Sequence, residues 1–248
     1  MAFKDYFSDH AAGYASYRPN YPAALFSWLA DQCVQHRNAW DCATGSGQAA
    51  VALAPYFQSV IATDASHAQL IQATQHDNIS YVCAAAENVP LASDSLDLIT
   101  VAQAAHWFDR PRFYHEVERL LVSDGILALW CYGLFQITPQ IDTLIHDYYQ
   151  HTVGDYWPPE RRHIEQAYRQ IGFPYAERSV PAFNMQIDWN LSQVMGYLAT
   201  WSATRLYIKV TGSDPLPALE QQLTEMWGDT EQPRSIHWPL HLKVGSKP

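Results

Sequence analysis

Residues 39–50, Ala39-Trp40-Asp41-Cys42-Ala43-Thr44-Gly45-Ser46-Gly47-Gln48-Ala49-Ala50, decide how the chain is read. Residues 39–42 form a short buried strand, small residues follow, and residues 48–56 have the pattern of a helix. A strand passing through glycines into a helix makes a ligand loop. Glycine lets the backbone turn tightly and approach a ligand, and the helix N-terminus offers N–H groups with no intrahelical partner. About 20 residues further on, at the tip of the next strand, stands Asp64, where an acidic side chain accepts hydrogen bonds from ribose hydroxyls. Gly45-x-Gly47-x-x-Ala50 also satisfies a dinucleotide-binding pattern. The loop alone therefore leaves the ligand open between a nicotinamide dinucleotide and S-adenosylmethionine.

Outward from the loop, strand and helix patterns alternate. Strands are expected at residues 59–63, 79–84, 96–102 and 125–132, and helices at residues 22–36, 66–76 and 111–121, with Ser66 as an N-cap. The run 96–102 is almost continuously apolar, as in a strand covered on both faces. This spacing implies βαβ units and a mainly parallel sheet. After residue 133 the rhythm changes. Helices are expected over residues 138–151, 160–171, 191–209 and 215–227, with strands near 175–188 and 236–245 adding an antiparallel edge. The expected fold is α/β and Rossmann-like, a mainly parallel seven-stranded sheet with an antiparallel edge strand and a helical cap. It divides as one domain into an N-terminal lid and helix (1–36), a cofactor-binding core (37–133) and the cap with the final strands (134–248).

Three features tip the loop away from a dinucleotide. Asp41 stands four positions before Gly45, Ala86-Glu87 follows the third strand, and the fourth strand ends in Gln103-Ala104-Ala105-His106-Trp107-Phe108-Asp109. That last cluster lies at the carboxyl edge of the sheet, where open α/β folds bind ligands.

Here the chain resembles the class I S-adenosylmethionine-dependent methyltransferases. The resemblance rests on Asp41-x-Ala43-x-Gly45-x-Gly47, Ala62-Thr63-Asp64-Ala65-Ser66, Ala85-Ala86-Glu87-Asn88-Val89-Pro90, Ser95-Leu96-Asp97-Leu98-Ile99 and residues 103–108, in that order. The stretch Ala12-x-Tyr14-x-x-Tyr17-Arg18-Pro19-x-Tyr21-Pro22, with Thr200-Trp201-Ser202-Ala203 and Trp238-Pro239-Leu240, looks like the trans-aconitate methyltransferase-like (methyltransferase type 11) subgroup. One departure is Ala43, where the family usually has glycine; alanine suits the position if its φ is negative. The resemblance implies that Gly45 and Gly47 line the methionine portion of S-adenosylmethionine and that Asp64 holds the ribose hydroxyls. It places Ala65 beside the adenine, Ala86 and Glu87 at the adenine's edge, and the Gln103 backbone near the sulfonium. Asp41, Ala43, Tyr14 and Arg18 complete the expected cofactor set, Arg18 as a holder of the cofactor carboxylate or of an acceptor anion.

Methyl transfer needs positioning and water exclusion, and for a hydroxyl acceptor a base as well. His106 is the candidate base, its unperturbed pKa being near 6.5. A carboxylate acceptor needs no base and calls for an arginine, for which Arg205 is the candidate, on one helix face with Trp201. Trp107, Trp130, Tyr132, Trp157, Trp201 and Tyr207 are the candidate pocket aromatics, each equally good as a core residue. The rivals to a small-molecule O-methyltransferase are a nicotinamide-dependent oxidoreductase and a non-catalytic protein that only binds S-adenosylmethionine.

The whole composition sets bounds. The formal net charge of −10 argues against nucleic acid or an anionic membrane as partner. The start shows no apolar leader, and the longest apolar run, residues 126–132, is too short to span a bilayer. Cys33, Cys42, Cys83 and Cys131 are dispersed, with no metal-ligand spacing, and fit a reducing cytoplasm with no metal. The oligomeric state is not legible.

Overall fold

Strand β4 (Leu96–Ala102) is buried along nearly its whole length because it stands at the centre of a seven-stranded sheet. The computed structural model describes residues 19–248. The sheet runs in the order β3 (Ile79–Cys83), β2 (Ser59–Asp64), β1 (Asn38–Cys42), β4, β5 (Leu121–Tyr132), β7 (Arg234–Ser246) and β6 (Asn184–Trp189). The first five strands are parallel, and β7 pairs antiparallel with both β5 and β6. The antiparallel edge expected from the sequence is thus a two-strand unit: β7 lies one place in, and β6 forms the border. This departs from the dinucleotide-binding order, in which a sixth parallel strand follows the fifth.

Alternation along the strands splits the core into two layers. Ile126, Ala128, Trp130 and Tyr132 of β5 pack on one face with α1 (Ala23–Asp31), α2 (Gln48–Leu53) and most of the cap. Leu127, Leu129 and Cys131 pack on the other with α4 (Arg110–Leu120), whose N-cap Asp109 accepts a hydrogen bond from the Arg112 N–H. A short helix α3 (His67–Ile71) follows β2. Ser66 precedes it in extended conformation, without a side-chain capping bond.

Two expected cap helices are shorter than their patterns. The run 191–209 breaks into α7 (Leu191–Ala199) and α8 (Ser202–Thr211), because Trp201 adopts an extended backbone. The run 160–171 keeps only a 3-10 turn (Pro159–Arg161) and α6 (Arg162–Glu165). It ends there because Ala167 and Tyr168 both turn left-handed, at φ 52° and 57°. Before it, α5 (Pro139–Asp147) widens into a π-helical turn (Tyr148–Thr152), a feature that recurs at functional sites. The last helix, α9 (Leu216–Trp227), leads into β7. Among the described residues no helix is long and apolar enough to cross a membrane.

Candidate active site

The site starts at the carboxyl end of β1, which is covered on both faces. Trp40 and Cys42 turn to the α4 side, so Asp41 turns to the opposite one and is almost fully buried. Its Oδ2 accepts the Thr44 hydroxyl at 2.5 Å and its Oδ1 accepts the Thr100 hydroxyl at 2.8 Å. Burial pushes its pKa up to about 6, against the lowering effect of those two hydroxyl donors. Asp41 therefore does not line the cleft, contrary to the expected cofactor contact. It ties the loop to β4 from behind.

The loop itself is built of left-handed residues: Ala43 at φ 55°, Gly45 at 57° and Gly47 at 85°. The negative φ under which Ala43 is unstrained is not what the fold adopts; a non-glycine residue held left-handed costs about 1–2 kcal/mol. Gly47 has no such alternative, since a Cβ there would run into the Tyr81 hydroxyl, itself fixed by donation to the Thr74 carbonyl at 2.6 Å. Gly47 is buried under the loop and shapes it without lining the cleft. Asp64 closes the arrangement. Its Oδ2 accepts the Gly45 N–H at 2.9 Å and its Oδ1 the Ser66 N–H at 2.8 Å, so one carboxylate holds the turns after β1 and β2 together.

A cleft of about 1390 Å³ lies along this edge of the sheet. Ala43, Gly45, Asp64, Ala65, Ala86, Glu87, Gln103, His106, Trp107 and Trp157 all line it. Glu87 Oε1 accepts the Asp109 N–H at 2.9 Å, which joins the turn after β3 to the start of α4. Gln103, left-handed at φ 56°, continues the β4–β5 ladder with its side chain. Its Nε2 donates to the Tyr132 carbonyl at 3.0 Å, and its Oε1 accepts the Tyr132 N–H at 2.8 Å. The backbone at the end of β4 is fixed by these bonds.

The facing wall comes from the cap and contains the residue that sequence reasoning missed, Arg161. Its guanidinium stands 4.6 Å from the Trp157 ring centroid and 5.5 Å from that of Tyr149. Its Nε donates to the Tyr149 hydroxyl at 2.9 Å, and that hydroxyl donates to Glu165 Oε1 at 2.6 Å. Among the described residues no carboxylate forms an ion pair with Arg161. Trp157 and Arg161 are four residues apart, the spacing that drew attention to Trp201 and Arg205, so a signal for Arg161 was present. The π-helical turn that places Tyr149 beneath it was not legible.

His106 is buried, with Nδ1 2.9 Å from the Tyr168 hydroxyl. Burial first, then the charges of Arg161 and His163, lowers its pKa to about 3. It is neutral at physiological pH and a far weaker base than an unperturbed histidine.

Four expected pocket aromatics do not reach the cleft. Trp130 is fully buried on the internal strand β5, edge-on to Tyr21 and Phe26 at 5.4 and 6.2 Å. Tyr132 is buried two residues on, on the same face. Trp201 packs among Tyr148, Tyr149, Trp157 and Tyr197, and Tyr207 stands edge-on to Tyr156 at 5.1 Å. Arg205 is corrected as well. Its Nε donates to the Ala199 carbonyl at 3.2 Å, so it caps the C-terminus of α7 rather than an acceptor. Tyr14 and Arg18 lie outside the described residues.

Known proteins bear on this geometry. A family model described as a methyltransferase domain matches residues 40–129, from β1 into the second half of β5. A Dictyostelium discoideum protein provisionally named a methyltransferase is 36% identical over 252 residues, covering 99% of this chain and 96% of its own. A solved structure from Anaeromyxobacter dehalogenans, provisionally named a type II methyltransferase, superposes with a TM-score of 0.88 at 38% identity, covering 92% of this chain and 97% of that one. The YcgJ protein of Bacillus subtilis shares the fold at a TM-score of 0.52 and 20% identity, covering 90% and 96%. The residues present fit S-adenosylmethionine. A carboxylate faces the cleft at the tip of β2, small apolar residues (Ala65, Ala86) flank it, and an aromatic wall at Trp107 suits a sulfonium. With the sheet order, the loop and these relatives in agreement, the chain belongs to the class I S-adenosylmethionine-dependent methyltransferases.

Proposed function

We propose that the protein transfers a methyl group from S-adenosylmethionine to an oxygen, of a carboxylate or a hydroxyl, on a small anionic molecule. The observation that carries this reading is Arg161. In a chain of net charge −10 it presents to the cleft a guanidinium that no described carboxylate neutralises, held rigid by Trp157 and Tyr149. A fixed planar cation with unspent N–H donors is suited to an anion.

Asp64 would hold the ribose hydroxyls, Ala65 and Ala86 the adenine faces with Glu87 at its edge, the Ala43–Ser46 backbone the methionine portion, and the Gln103 backbone the region of the sulfonium. When bound, S-adenosylmethionine would supply an electrophilic methyl group for transfer to the acceptor oxygen, with S-adenosylhomocysteine as the other product. The chain's own part is positional. Trp107 and Trp157 exclude water from the reacting centre, and Arg161 orients the acceptor. The similarity of residues 200–203 and 238–240 to the trans-aconitate methyltransferase-like subgroup supports an acid as acceptor. All four cysteines are free and three are buried, which agrees with a cytoplasmic enzyme.

Calorimetric titration with S-adenosylhomocysteine, and separately with a nicotinamide dinucleotide, tests the cofactor; saturable binding of the first alone is expected. Incubation with methyl-labelled S-adenosylmethionine and a metabolite extract should then label an acidic small molecule. Cofactor binding with no labelled product would instead mark a non-catalytic binding protein.

A further inference from the structure

The hydrogen bond between His106 and Tyr168 has a direction that the surroundings dictate. Tyr168 is completely buried, and its hydroxyl proton needs an acceptor there. The backbone N–H groups of Ala105 and His106 approach the phenolic oxygen and are donors, not acceptors. His106 Nδ1, at 2.9 Å, is left to receive the proton. In a neutral ring whose Nδ1 accepts, Nε2 carries the hydrogen. His106 is part of the cleft wall, as is Arg161, and the turns that bear them (Ala105–Trp107 and Pro159–Arg161) pack against each other.

The cost at which Tyr168 is placed supports a purpose. Ala167 and Tyr168 are consecutive left-handed residues, and a bulky side chain at φ 57° is strained. That kink ends α6 and turns the Tyr168 ring under the Ala105–Trp107 turn, its centroid 6.0 Å from the imidazole.

We propose that Tyr168 is a positioning residue that locks His106 as an Nε2–H hydrogen-bond donor to the acceptor, so that the site takes an oxygen nucleophile that arrives already ionised. This rests on the methyltransferase reading above and settles which of its two oxygen classes is used. A ring with a proton on Nε2 and Nδ1 engaged has no lone pair with which to deprotonate an alcohol. It can pair with Arg161 in donating to an anion. The charged and titratable neighbours, Arg161 and His163, both disfavour a second proton on the ring and so keep it neutral. A carboxylate, whose unperturbed pKa lies near 4, needs no base at neutral pH.

The test reads the tautomer directly. Long-range ¹H–¹⁵N spectra of full-length, ¹⁵N-histidine-labelled protein, with the His106 signals identified by their loss in His106→Gln, should show the Nε2–H form at pH 7 and no protonation down to pH 5. Tyr168→Phe should release the lock and give a mixture of tautomers. Matched carboxylates and alcohols of equal chain length are then offered with methyl-labelled S-adenosylmethionine. Label is expected only as alkali-labile methyl esters, with kcat/KM flat between pH 6 and 9 and about tenfold lower in Tyr168→Phe, the loss expected of one misplaced hydrogen bond. An Nδ1–H ring, or alkali-stable ethers formed with a rate limb that disappears in His106→Gln, would overturn the proposal. The spectra need neither cofactor nor acceptor. Failure to bind S-adenosylhomocysteine would therefore refute the methyltransferase reading while leaving the tautomer result to stand on its own.

Discussion

The two walls of the cleft are built on different principles. On the sheet side, loops after β1, β2 and β4 present backbone, and each is tied down by a neighbouring side chain: Asp41 and Asp64 for the glycine loop, Gln103 for the end of β4. On the cap side, side chains are held by other side chains: Arg161 faces the cleft against Tyr149 and Trp157, and Tyr168 reaches across to hold His106 on the turn after β4. A backbone-built wall depends on residues that permit a conformation, and these leave short motifs. A wall built of side chains depends on contacts between distant positions, and these leave almost none.

The difference can be broken at its strongest point by Gly47→Val. The left-handed backbone and the Tyr81 hydroxyl both forbid the side chain, so S-adenosylhomocysteine affinity measured by calorimetry should fall about 100-fold or more, and a fall below tenfold would mean that the loop adapts.

Asp41 tests the sheet side through pH. Its folded pKa, about 6, lies above its ordinary 3.8, so the folded state binds this proton more tightly than the unfolded state does. Stability is therefore greatest with Asp41 protonated and declines as pH rises from 3.8 through about 6. The decline should amount to about 3 kcal/mol in urea unfolding and be absent in Asp41→Asn.

The cap side is sharpened by a pair. Arg161→Gln should raise acceptor KM roughly 10- to 30-fold while the S-adenosylhomocysteine Kd is unchanged. Arg205→Gln should leave KM alone and lower stability by about 1 kcal/mol in thermal unfolding, because it removes a helix cap. Equal effects of the two variants on KM would abolish the distinction between them.

The smallest effect is expected at Ala43→Gly. Relief of the left-handed strain should outweigh the added unfolded-state entropy and raise stability by about 0.5–1 kcal/mol. A loss of stability would show that the Ala43 side chain makes a contact of value.

Much of the architecture was legible. The apolar run 96–102 matches β4 residue for residue, and the other core strands differ from their expected bounds by a few residues at most, because burial on both faces imposes a continuous apolar pattern. The expected helices over 160–171 and 191–209 were overdrawn because periodicity does not register a single left-handed or extended residue, and Tyr168 and Trp201 are such residues. The aromatics misled for a related reason. Trp130 and Trp157 are equally apolar, yet one faces the core beneath Tyr21 and the other the cleft. Asp41 reads as a ligand residue in a motif and proves to be a buried tie, since the alternation of an internal strand sends it inward.

The sequence by itself determined the strand–loop–helix at residues 39–50, the acidic tip at Asp64 and the alternation that builds the sheet, because each follows from local conformational preference and burial period. Only the tertiary structure decided that β7 enters between β5 and β6, that Arg161 and not Arg205 faces the cleft, and that Tyr168 meets His106. These depend on which distant side chains meet, and that is a property of packing, not of spacing along the chain.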